Sequence, residues 1–184
     1  MNYVKLHLGC GVRNFGPSWD HIDLSQHSHI DSHDVRSLPY KDNSVDIIYN
    51  CGLLQYFDDL EIPSILREWN RVLKIGSTLR ISNPDFEVIA KLYSNKKYPL
   101  SSFIGPIFGR WDIGDSEYVY CKNAFDEPKL FSFLEDGGFG DIKRYDWRDT
   151  DHAHIDDYSQ AYLPHMDKDN GELIMLNLEC IKKG

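Results

Sequence analysis

The chain opens with strand-like patterns of hydrophobic and polar residues. Residues 3–8 (YVKLHL) alternate apolar and polar side chains and lead into glycines, which is typical of the first strand of a βα unit. Residues 19–24 (WDHIDL) predict a short second strand, and residues 30–33 predict a weaker third strand. Residues 44–50 (SVDIIYN) follow turn-forming residues and are rich in β-branched and aromatic side chains, so we expect a central strand buried on both faces.

After residue 60 the apolar residues take on the spacing of an amphipathic helix. Apolar residues recur at steps of three and four across residues 62–73, a proline stands in the first turn, and Lys74 and Gly76 supply the expected C-terminal signals. A second helix is predicted with Asn83 as its N-cap and Pro84 at its first position. The expected inner face of this second helix comprises Phe86, Ile89, Ala90 and Tyr93.

The rest of the chain predicts one more helix and two irregular regions. The helix has Asp126 as its N-cap, Pro128 inside its start and Gly137 just past its end. Residues 98–123 and 148–172 are long and lack a clean period, and we interpret them as a partly ordered cap insertion and as a flap. The remaining strands are predicted at residues 77–82, 141–147 and 173–181.

Strands and helices therefore alternate along the chain. This order indicates an α/β fold with a mostly parallel sheet. The chain has 184 residues and no Pro/Gly/Ser-rich linker, so we expect residues 1–184 to form one domain.

Composition and charge narrow the classes of function. The formal net charge of -9 argues against a nucleic-acid partner, because such binding depends on Lys and Arg that neutralise phosphates. The four cysteines are far apart and form no CxxC pair, which indicates reduced thiols rather than a zinc cage or a disulfide framework. Neither a signal-peptide core nor an apolar run of about 18 residues is visible. We therefore expect a cytoplasmic protein with a small-molecule substrate and no membrane association.

Glycines and acidic residues follow the first three predicted strands. GCG, residues 9–11, comes directly after the first strand, where glycines let a ligand approach the backbone, although such pairs also form plain tight turns. Asp23 ends the second strand, where a carboxylate can accept hydrogen bonds from both hydroxyls of a ribose. Asp34 follows the third strand, and its side chain or the Val35 backbone can meet the exocyclic amine of an adenine. Their order along the chain favours an adenosyl-containing ligand.

Several segments resemble class I S-adenosylmethionine-dependent methyltransferases. They are LHLGCG, the acid of HIDL, the run HDVRSLPYKDNSVDIIYN and the segment REWNRVLKIGSTLRISNPDF, and GGFGDIKRYDW resembles the late helix and strand of the family. The likeness is strongest over residues 4–93 and is greatest to small bacterial predicted methyltransferases, some associated with sugar or cell-surface polysaccharide pathways. It implies a Rossmann-like, three-layer αβα fold with seven strands in the order 3-2-1-4-5-7-6, the last strand being antiparallel.

The resemblance also implies a cofactor and a set of site residues. The cofactor would be S-adenosyl-L-methionine, and the reaction would be methyl transfer to an unidentified small molecule, with sugar- or polysaccharide-related acceptors as one option. Residues 9–11, the glycine loop, would line the methionine moiety. Asp23 would hold the ribose, and Asp34 with Val35 would frame the adenine. The implied cofactor-binding residues are Gly9, Cys10, Gly11, Asp23, Leu24, Asp34, Val35, Asn50, Cys51 and Gly52.

The chain departs from the family pattern at two places. Residues 9–18 are too few for the usual first crossover helix, so we expect a loop there, with loop amides or Arg13 near the carboxylate of the cofactor. GLLQY, residues 52–56, stands where relatives often have histidines, so no catalytic residue is assigned. Two readings therefore compete: a non-catalytic nucleoside-binding protein of the same fold, and a nicotinamide-dependent oxidoreductase, which would need a third glycine near Asn14.

The two irregular regions leave further alternatives open. Residues 103–111 (FIGPIFGRW) form either an aromatic lid or local core. The flap offers imidazoles and carboxylates that suit zinc or iron, but without a fixed ligand spacing, so no metal is assigned. The side chains in question are His152, His154, Asp156, Asp157, Tyr158 and His165.

Overall fold

The computed structural model describes residues 3–114 and 116–184. The helices are α1 (Ile62–Val72), α2 (Phe86–Ser94), α3 (Ser101–Phe108) and α4 (Glu127–Asp136). The strands are β1 (Lys5–Leu8), β2 (Asp20–Ile22), β3 (Val45–Cys51), β4 (Leu73–Pro84), β5 (Arg110–Gly114), β6 (Glu117–Tyr120), β7 (Phe139–Arg144), β8 (Tyr162–Leu163), β9 (Glu172–Leu173) and β10 (Met175–Lys182). Short 3-10 helices lie at Leu54–Tyr56, Trp147–Asp149 and Tyr158–Gln160.

Six strands form the main sheet, in the order β2-β1-β3-β4-β10-β7. The pairs β1–β2, β1–β3 and β3–β4 are parallel, and β10 is antiparallel to both of its neighbours, as expected for the last strand. The predicted third strand at residues 30–33 is wrong, because within the described chain this segment forms only an isolated bridge between Ser32 and Ile22. Residues 24–33 are mostly polar, so they have little apolar surface to bury in a further strand.

Helix α1 forms where the spacing predicted it and ends earlier than the sequence signals suggested. Its buried face consists of Ile62, Ile65, Leu66, Trp69 and Val72. Leu73 already belongs to β4, so the predicted ending at Lys74 and Gly76 is wrong. Gly76 lies inside β4 with a φ of +78°, where the register between β3 and β4 shifts. A glycine permits this left-handed conformation in a bulge.

The start of α2 also differs from the prediction. Asn83 and Pro84 end β4, and the N-cap is Asp85, whose side chain accepts hydrogen bonds from the N–H groups of Glu87 and Val88. The predicted inner face is wrong except for Ile89, because α2 packs against α3 and Ile174 rather than flat on the sheet. Ile89 and Leu92 are buried, whereas Phe86, Ala90 and Tyr93 are exposed.

The last helix and the last strands lie close to their predicted positions. Asp126 caps α4 by accepting a hydrogen bond from the N–H of Lys129, a proline stands in its first turn, and Gly137 is its C-cap, as predicted. β7 ends at Arg144, so the predicted strand at 141–147 extends too far; Trp147 instead begins a 3-10 helix.

The two faces of the sheet are covered differently. Helices α1 and α4 pack on one face around the largest group of buried side chains. On the opposite face, over β1 and β3, the cover comes from residues 12–19 and from the flap, so the predicted αβα layering is incomplete there. The link from β1 to β2 consists of turns rather than a helix, as expected from its length. None of the helices described here is both long and apolar enough to span a membrane.

Candidate functional site

A cavity of about 450 Å³ opens at the carboxyl ends of the parallel strands. Its walls are the loop after β1, the ends of β2 and β3, the hairpin β5–β6 and the flap. Nine of the ten cofactor-site residues implied by the sequence line it: Gly9, Cys10, Gly11, Asp23, Leu24, Asp34, Val35, Cys51 and Gly52.

The tenth residue, Asn50, does not line the cavity. It is fully buried, and it precedes Cys51 in a strand whose side chains alternate between the two faces. Its Nδ2 donates to the carbonyl of Arg80 at 3.4 Å, and its Oδ1 has no hydrogen-bond partner within the described residues. Asn50 therefore lies beneath the cavity floor rather than in the cavity.

The glycine loop is held in a conformation and a space that only glycine fits well. Gly9 and Gly11 have φ values of +67° and +54°. A Cβ at Gly9 would lie 2.8 Å from Cδ1 of Leu53, and one at Gly11 would lie 2.8 Å from Cζ2 of Trp111. The loop therefore exposes backbone to the cavity and receives the indole ring of the hairpin directly.

Asp23 is a buried carboxylate that organises the loop. Its Oδ2 accepts a hydrogen bond from the N–H of Gly11 at 2.9 Å, and its Oδ1 accepts from the N–H and the hydroxyl of Ser25 at 2.8 Å and 2.6 Å. An ionised carboxylate has about four acceptor positions, so Oδ2 keeps one. The sequence did not reveal the role of Ser25 in fixing this side chain.

Asp34 and Val35 form the outer wall of the cavity. Asp34 forms an ion pair with Arg36 (Oδ1 to Nε, 3.0 Å), and hydrogen bonds from Arg36 lower the pKa of this half-exposed carboxyl group. The Val35 carbonyl accepts a hydrogen bond from Nε1 of Trp69 at 2.8 Å. The wall is thereby anchored to helix α1.

The cap insertion contributes a hairpin that covers the cavity. Its base is tied to the segment after β3, because the N–H groups of Lys122 and Asn123 both donate to the Gln55 carbonyl. Of the aromatic stretch 103–111, Trp111 lines the cavity, whereas Phe103 is buried against α2 as local core. The hairpin residues that line the cavity are Trp111, Ile113, Tyr118, Val119 and Tyr120.

The flap covers the side of the cavity opposite the hairpin, and hydrogen bonds hold it to the sheet. Asp157 and Tyr158 line the cavity. The Tyr49 hydroxyl donates to Oδ2 of Asp157, and Oδ1 accepts from the N–H and hydroxyl of Ser159. The Arg13 guanidinium lies 4.8 Å from the centre of the Tyr158 ring. Among the described residues, no group of three His, Cys, Asp or Glu side chains is arranged to hold a metal ion.

Neutral groups dominate the cavity floor. His7 is buried and stacks on Phe15 with ring centroids 3.9 Å apart, and burial lowers its pKa well below 6.5, so the imidazole is neutral. Burial raises the pKa of the Cys10 thiol to about 12 and that of Cys51 well above 9.0. Neither thiol is therefore activated as a nucleophile. His7 was missed from the sequence, since it sits inside a strand that alternates regularly.

The amino-terminal half of the sheet also carries a family signature. Residues 6–81 match the family model described as a methyltransferase domain, from β1 into β4. This model covers less than half of the chain, so it shows a likeness to a methyltransferase domain over residues 6–81 alone. S-Adenosylmethionine is the methyl donor that this likeness implies for the chain. No curated protein sequence matches it significantly.

Solved structures share the fold of this chain at low sequence identity. An S-adenosylmethionine-dependent methyltransferase of Methanosarcina mazei is 18% identical over 100% of this chain and 94% of its own, with a TM-score of 0.56. One from Thermotoga maritima, described as a possible histamine N-methyltransferase, is 17% identical over 97% and 81%, with a TM-score of 0.59. One from Clostridium acetobutylicum is 15% identical over 100% and 85%, with a TM-score of 0.58.

The cavity fits the cofactor. Its volume falls within the range of roughly 300–1,000 Å³ that is usual for small-molecule pockets. Backbone is exposed at Gly9 and Gly11, and Asp23 keeps an acceptor position for a hydroxyl group. Bound there, S-adenosylmethionine would supply a methyl group that its sulfonium has already activated.

Proposed function

We propose that the chain is a methyltransferase that binds S-adenosylmethionine along the glycine loop and the ends of β2 and β3, and methylates a small molecule held between the hairpin and the flap. The observation that carries this proposal is that nine of the cofactor-binding residues implied by the sequence line one cavity. In this arrangement the adenine lies at Asp34 and Val35, and the ribose at Asp23 and Leu24. The methionine moiety lies at the glycine loop, Cys51 and Gly52, with Asn50 supporting this end from below.

The acceptor half of the cavity combines aromatic surface with one unsatisfied polar atom. Trp111, Tyr118 and Tyr158 present flat faces to the cavity. Gln55 is 7% exposed and lines the cavity, and its Oε1 has no hydrogen-bond partner within the described residues. Buried polar atoms are normally paired, so this oxygen is available to a donor on a ligand. A hydroxylated ring such as a sugar or a sugar-containing precursor offers both the flat face and the donor.

The chain contributes to catalysis mainly by alignment. Holding the acceptor in line with the methyl group, in a cavity that excludes water, can lower the barrier by about 7–11 kcal/mol. The hairpin and the flap provide this enclosure, since both contribute side chains to the cavity wall. A neutral His7 on the floor leaves the site without a cationic imidazole near the cofactor's positive sulfur.

Binding measurements and a labelling assay test the proposal. Native mass spectrometry of the purified protein, together with calorimetric titration with S-adenosylhomocysteine and NADH, should show binding of S-adenosylhomocysteine alone. Binding of NADH alone would overturn the cofactor assignment and favour an oxidoreductase. Incubation with methyl-labelled S-adenosylmethionine and a panel of free sugars, nucleotide sugars and amines should then label a hydroxylated compound. Cofactor binding without labelling of any hydroxylated compound would contradict the acceptor class and favour the non-catalytic alternative.

A further inference from the structure

A hydroxyl acceptor in the cavity needs a side chain that takes its proton. A hydroxyl group is protonated at neutral pH, and a positioned base that removes this proton during the transfer typically raises the rate by about 100-fold or more. The sequence of residues 52–56 assigned no such base. We therefore compared the groups that line the cavity and could accept a proton.

Three of the four carboxylates on the described part of the cavity wall are already engaged. Asp34 pairs with Arg36 at 3.0 Å, and Glu61 pairs with a lysine, Lys122, at 3.1 Å. A neighbouring cation favours the charged form of a carboxylate and so weakens it as a base. Asp23 holds the glycine loop and lies at the proposed ribose position. The fourth carboxylate is on the flap.

The other titratable groups at the cavity floor are poorly placed or protonated. His7 belongs to β1 directly before the glycine loop, so it lies next to the proposed methionine moiety rather than next to the acceptor. Burial raises the pKa of the Cys10 thiol to about 12 and that of Cys51 well above 9.0. Neither thiol is an effective base at neutral pH.

Asp157, the carboxylate on the flap, is buried with neutral partners. It is 4% exposed and lines the cavity. Its Oδ2 accepts a hydrogen bond from the Tyr49 hydroxyl, and its Oδ1 accepts from the N–H and hydroxyl of Ser159. It forms no ion pair with any residue that the structure describes. A carboxylate has about four acceptor positions, so Oδ2 keeps one for a donor in the cavity.

Contacts with the sheet fix the position of this carboxylate. Tyr49 belongs to β3, and the carbonyl of Ser159 accepts a hydrogen bond from Nδ2 of Asn177 in β10 at 2.9 Å. Oδ1 of Asn177 in turn accepts from the Ser82 hydroxyl in β4 at 2.6 Å. Three strands of the main sheet thus hold the flap here. A base that is held in this way can be aligned with an acceptor.

The same carboxylate lies beside the space proposed for the acceptor. Strand alternation puts Tyr49 and Cys51 on one face of β3, and Cys51 lines the cavity at the proposed methionine end. A Cβ at the next residue, Gly52, would lie 3.5 Å from Nε2 of Gln55 and 3.7 Å from Cδ2 of Tyr158. The amide proposed to bind the acceptor and the flap therefore both adjoin the end of β3.

We propose that Asp157 is the general base of the methyl transfer and that the acceptor atom is a hydroxyl oxygen. The hydroxyl group donates to the free position of Oδ2. As its oxygen forms the new bond to the methyl carbon, the C–S bond breaks with its electron pair left on sulfur, and the hydroxyl proton passes to Asp157 and then to water. This inference rests on the proposed function and adds the base and the acceptor atom to it. The likeness over residues 6–81 does not include the flap.

Two replacements of Asp157 test its role as a base. The acceptor used is the hydroxylated compound of the panel that the unaltered protein labels. Asp157→Asn and Asp157→Ser can both cap the 3-10 helix that follows, but neither carries a carboxylate. Both should lower the labelling rate at saturating acceptor by about 100-fold or more. By calorimetry, both should leave the affinity for S-adenosylhomocysteine, and that of the acceptor for the S-adenosylhomocysteine complex, unchanged.

Two further variants separate a base from a residue that only holds the flap. Asp156→Asn is the matched control, because this neighbouring carboxylate is exposed and does not line the cavity, and it should keep the full rate. Tyr49→Phe removes the donor to Oδ2 but keeps the carboxylate of Asp157, so the rate should fall by about tenfold or less.

The outcomes distinguish this inference from the proposed function. A full rate in Asp157→Asn, or an equal loss of rate in Tyr49→Phe and the two Asp157 variants, would overturn the base while leaving the cofactor site standing. Loss of S-adenosylhomocysteine affinity and of the circular dichroism signal in both Asp157 variants would assign the residue to the fold and would also overturn the base. If the unaltered protein labels no hydroxylated compound, the proposed function itself fails.

Discussion

The backbone N–H of Gly11 donates a hydrogen bond to Oδ2 of Asp23 at 2.9 Å. This contact joins the glycine loop after β1 to the carboxylate at the end of β2, so the two parts of the proposed cofactor site are held together before any ligand binds. A preorganised site spends less binding energy on ordering its own groups. The same contact makes Asp23 a structural residue as well as a proposed ligand-binding one.

Replacement of Asp23 should therefore affect both affinity and stability. Asp23→Ala should lower S-adenosylmethionine affinity at least about tenfold, because it removes a charge-assisted acceptor. It should also destabilise the fold by about 1–3 kcal/mol, because the N–H groups of Gly11 and Ser25 lose their partner. Calorimetry and urea unfolding measure the two effects. Ser25→Ala, which removes only one donor, is the control, and an unchanged affinity in Asp23→Ala would contradict the ribose assignment.

Gly11 should be less replaceable than Gly76, although both have a positive φ. Gly11→Ala introduces backbone strain of about 1–2 kcal/mol and a Cβ that would lie 2.8 Å from Trp111. Gly76→Ala is the matched control, because Gly76 also has a positive φ but no atom lies within 4 Å of its added Cβ. Thermal unfolding should show the larger loss for Gly11→Ala, and only this variant should bind S-adenosylhomocysteine more weakly. Equal losses of stability would show that the indole ring moves aside freely.

Stability should fall as the pH drops from 7 to 5. Burial lowers the pKa of His7 in the folded state, so protonation below about pH 6.5 favours the unfolded chain. The stability contributed by neutral His7 is thus present above its unfolded pKa and is lost as the pH falls toward its folded pKa. His7→Phe keeps an aromatic ring against Phe15 and removes the titration. Its melting temperature should fall less between pH 7 and pH 5, and a parallel fall would contradict this source of acid sensitivity.

Trp69 should link the stability of the core to the shape of the proposed adenine-binding wall at Asp34 and Val35. Trp69→Phe removes the donor to the Val35 carbonyl and leaves a space in a fully buried position. We expect a loss of about 2–4 kcal/mol in unfolding free energy and a weaker affinity for 5′-methylthioadenosine, which depends on the adenosine end alone. Trp147→Phe, whose indole N–H is 3.4 Å from the Tyr162 hydroxyl, is a control away from the cavity wall. Unchanged nucleoside affinity in Trp69→Phe would show that the wall does not depend on this hydrogen bond.

The sequence predicted the features of the site that depend on local order. Apolar periodicity located most strands and α1, and the glycine pair, Asp23 and Asp34 each follow a strand or an expected strand. Parallel strands present their carboxyl ends at one edge of a sheet, so residues at these ends must meet there. The helix ends at Gly76 and Asn83 were misassigned because a glycine in a bulge and an asparagine in a strand give the same local signal as a cap.

Only the tertiary structure decided which side chains complete the cavity. Tyr49 and Asp157 are 108 residues apart, and nothing in either local pattern indicates that they touch. The contacts of Arg13 with the flap and of the hairpin with the glycine loop also join segments that are distant in the sequence. Asn50 was assigned to the site by its place in the chain, but the strand pleat turned it to the opposite face from Cys51. Sequence order thus determined where the proposed cofactor edge lies, whereas long-range packing determined what surrounds it, because contacts between distant segments leave no periodic trace in the chain.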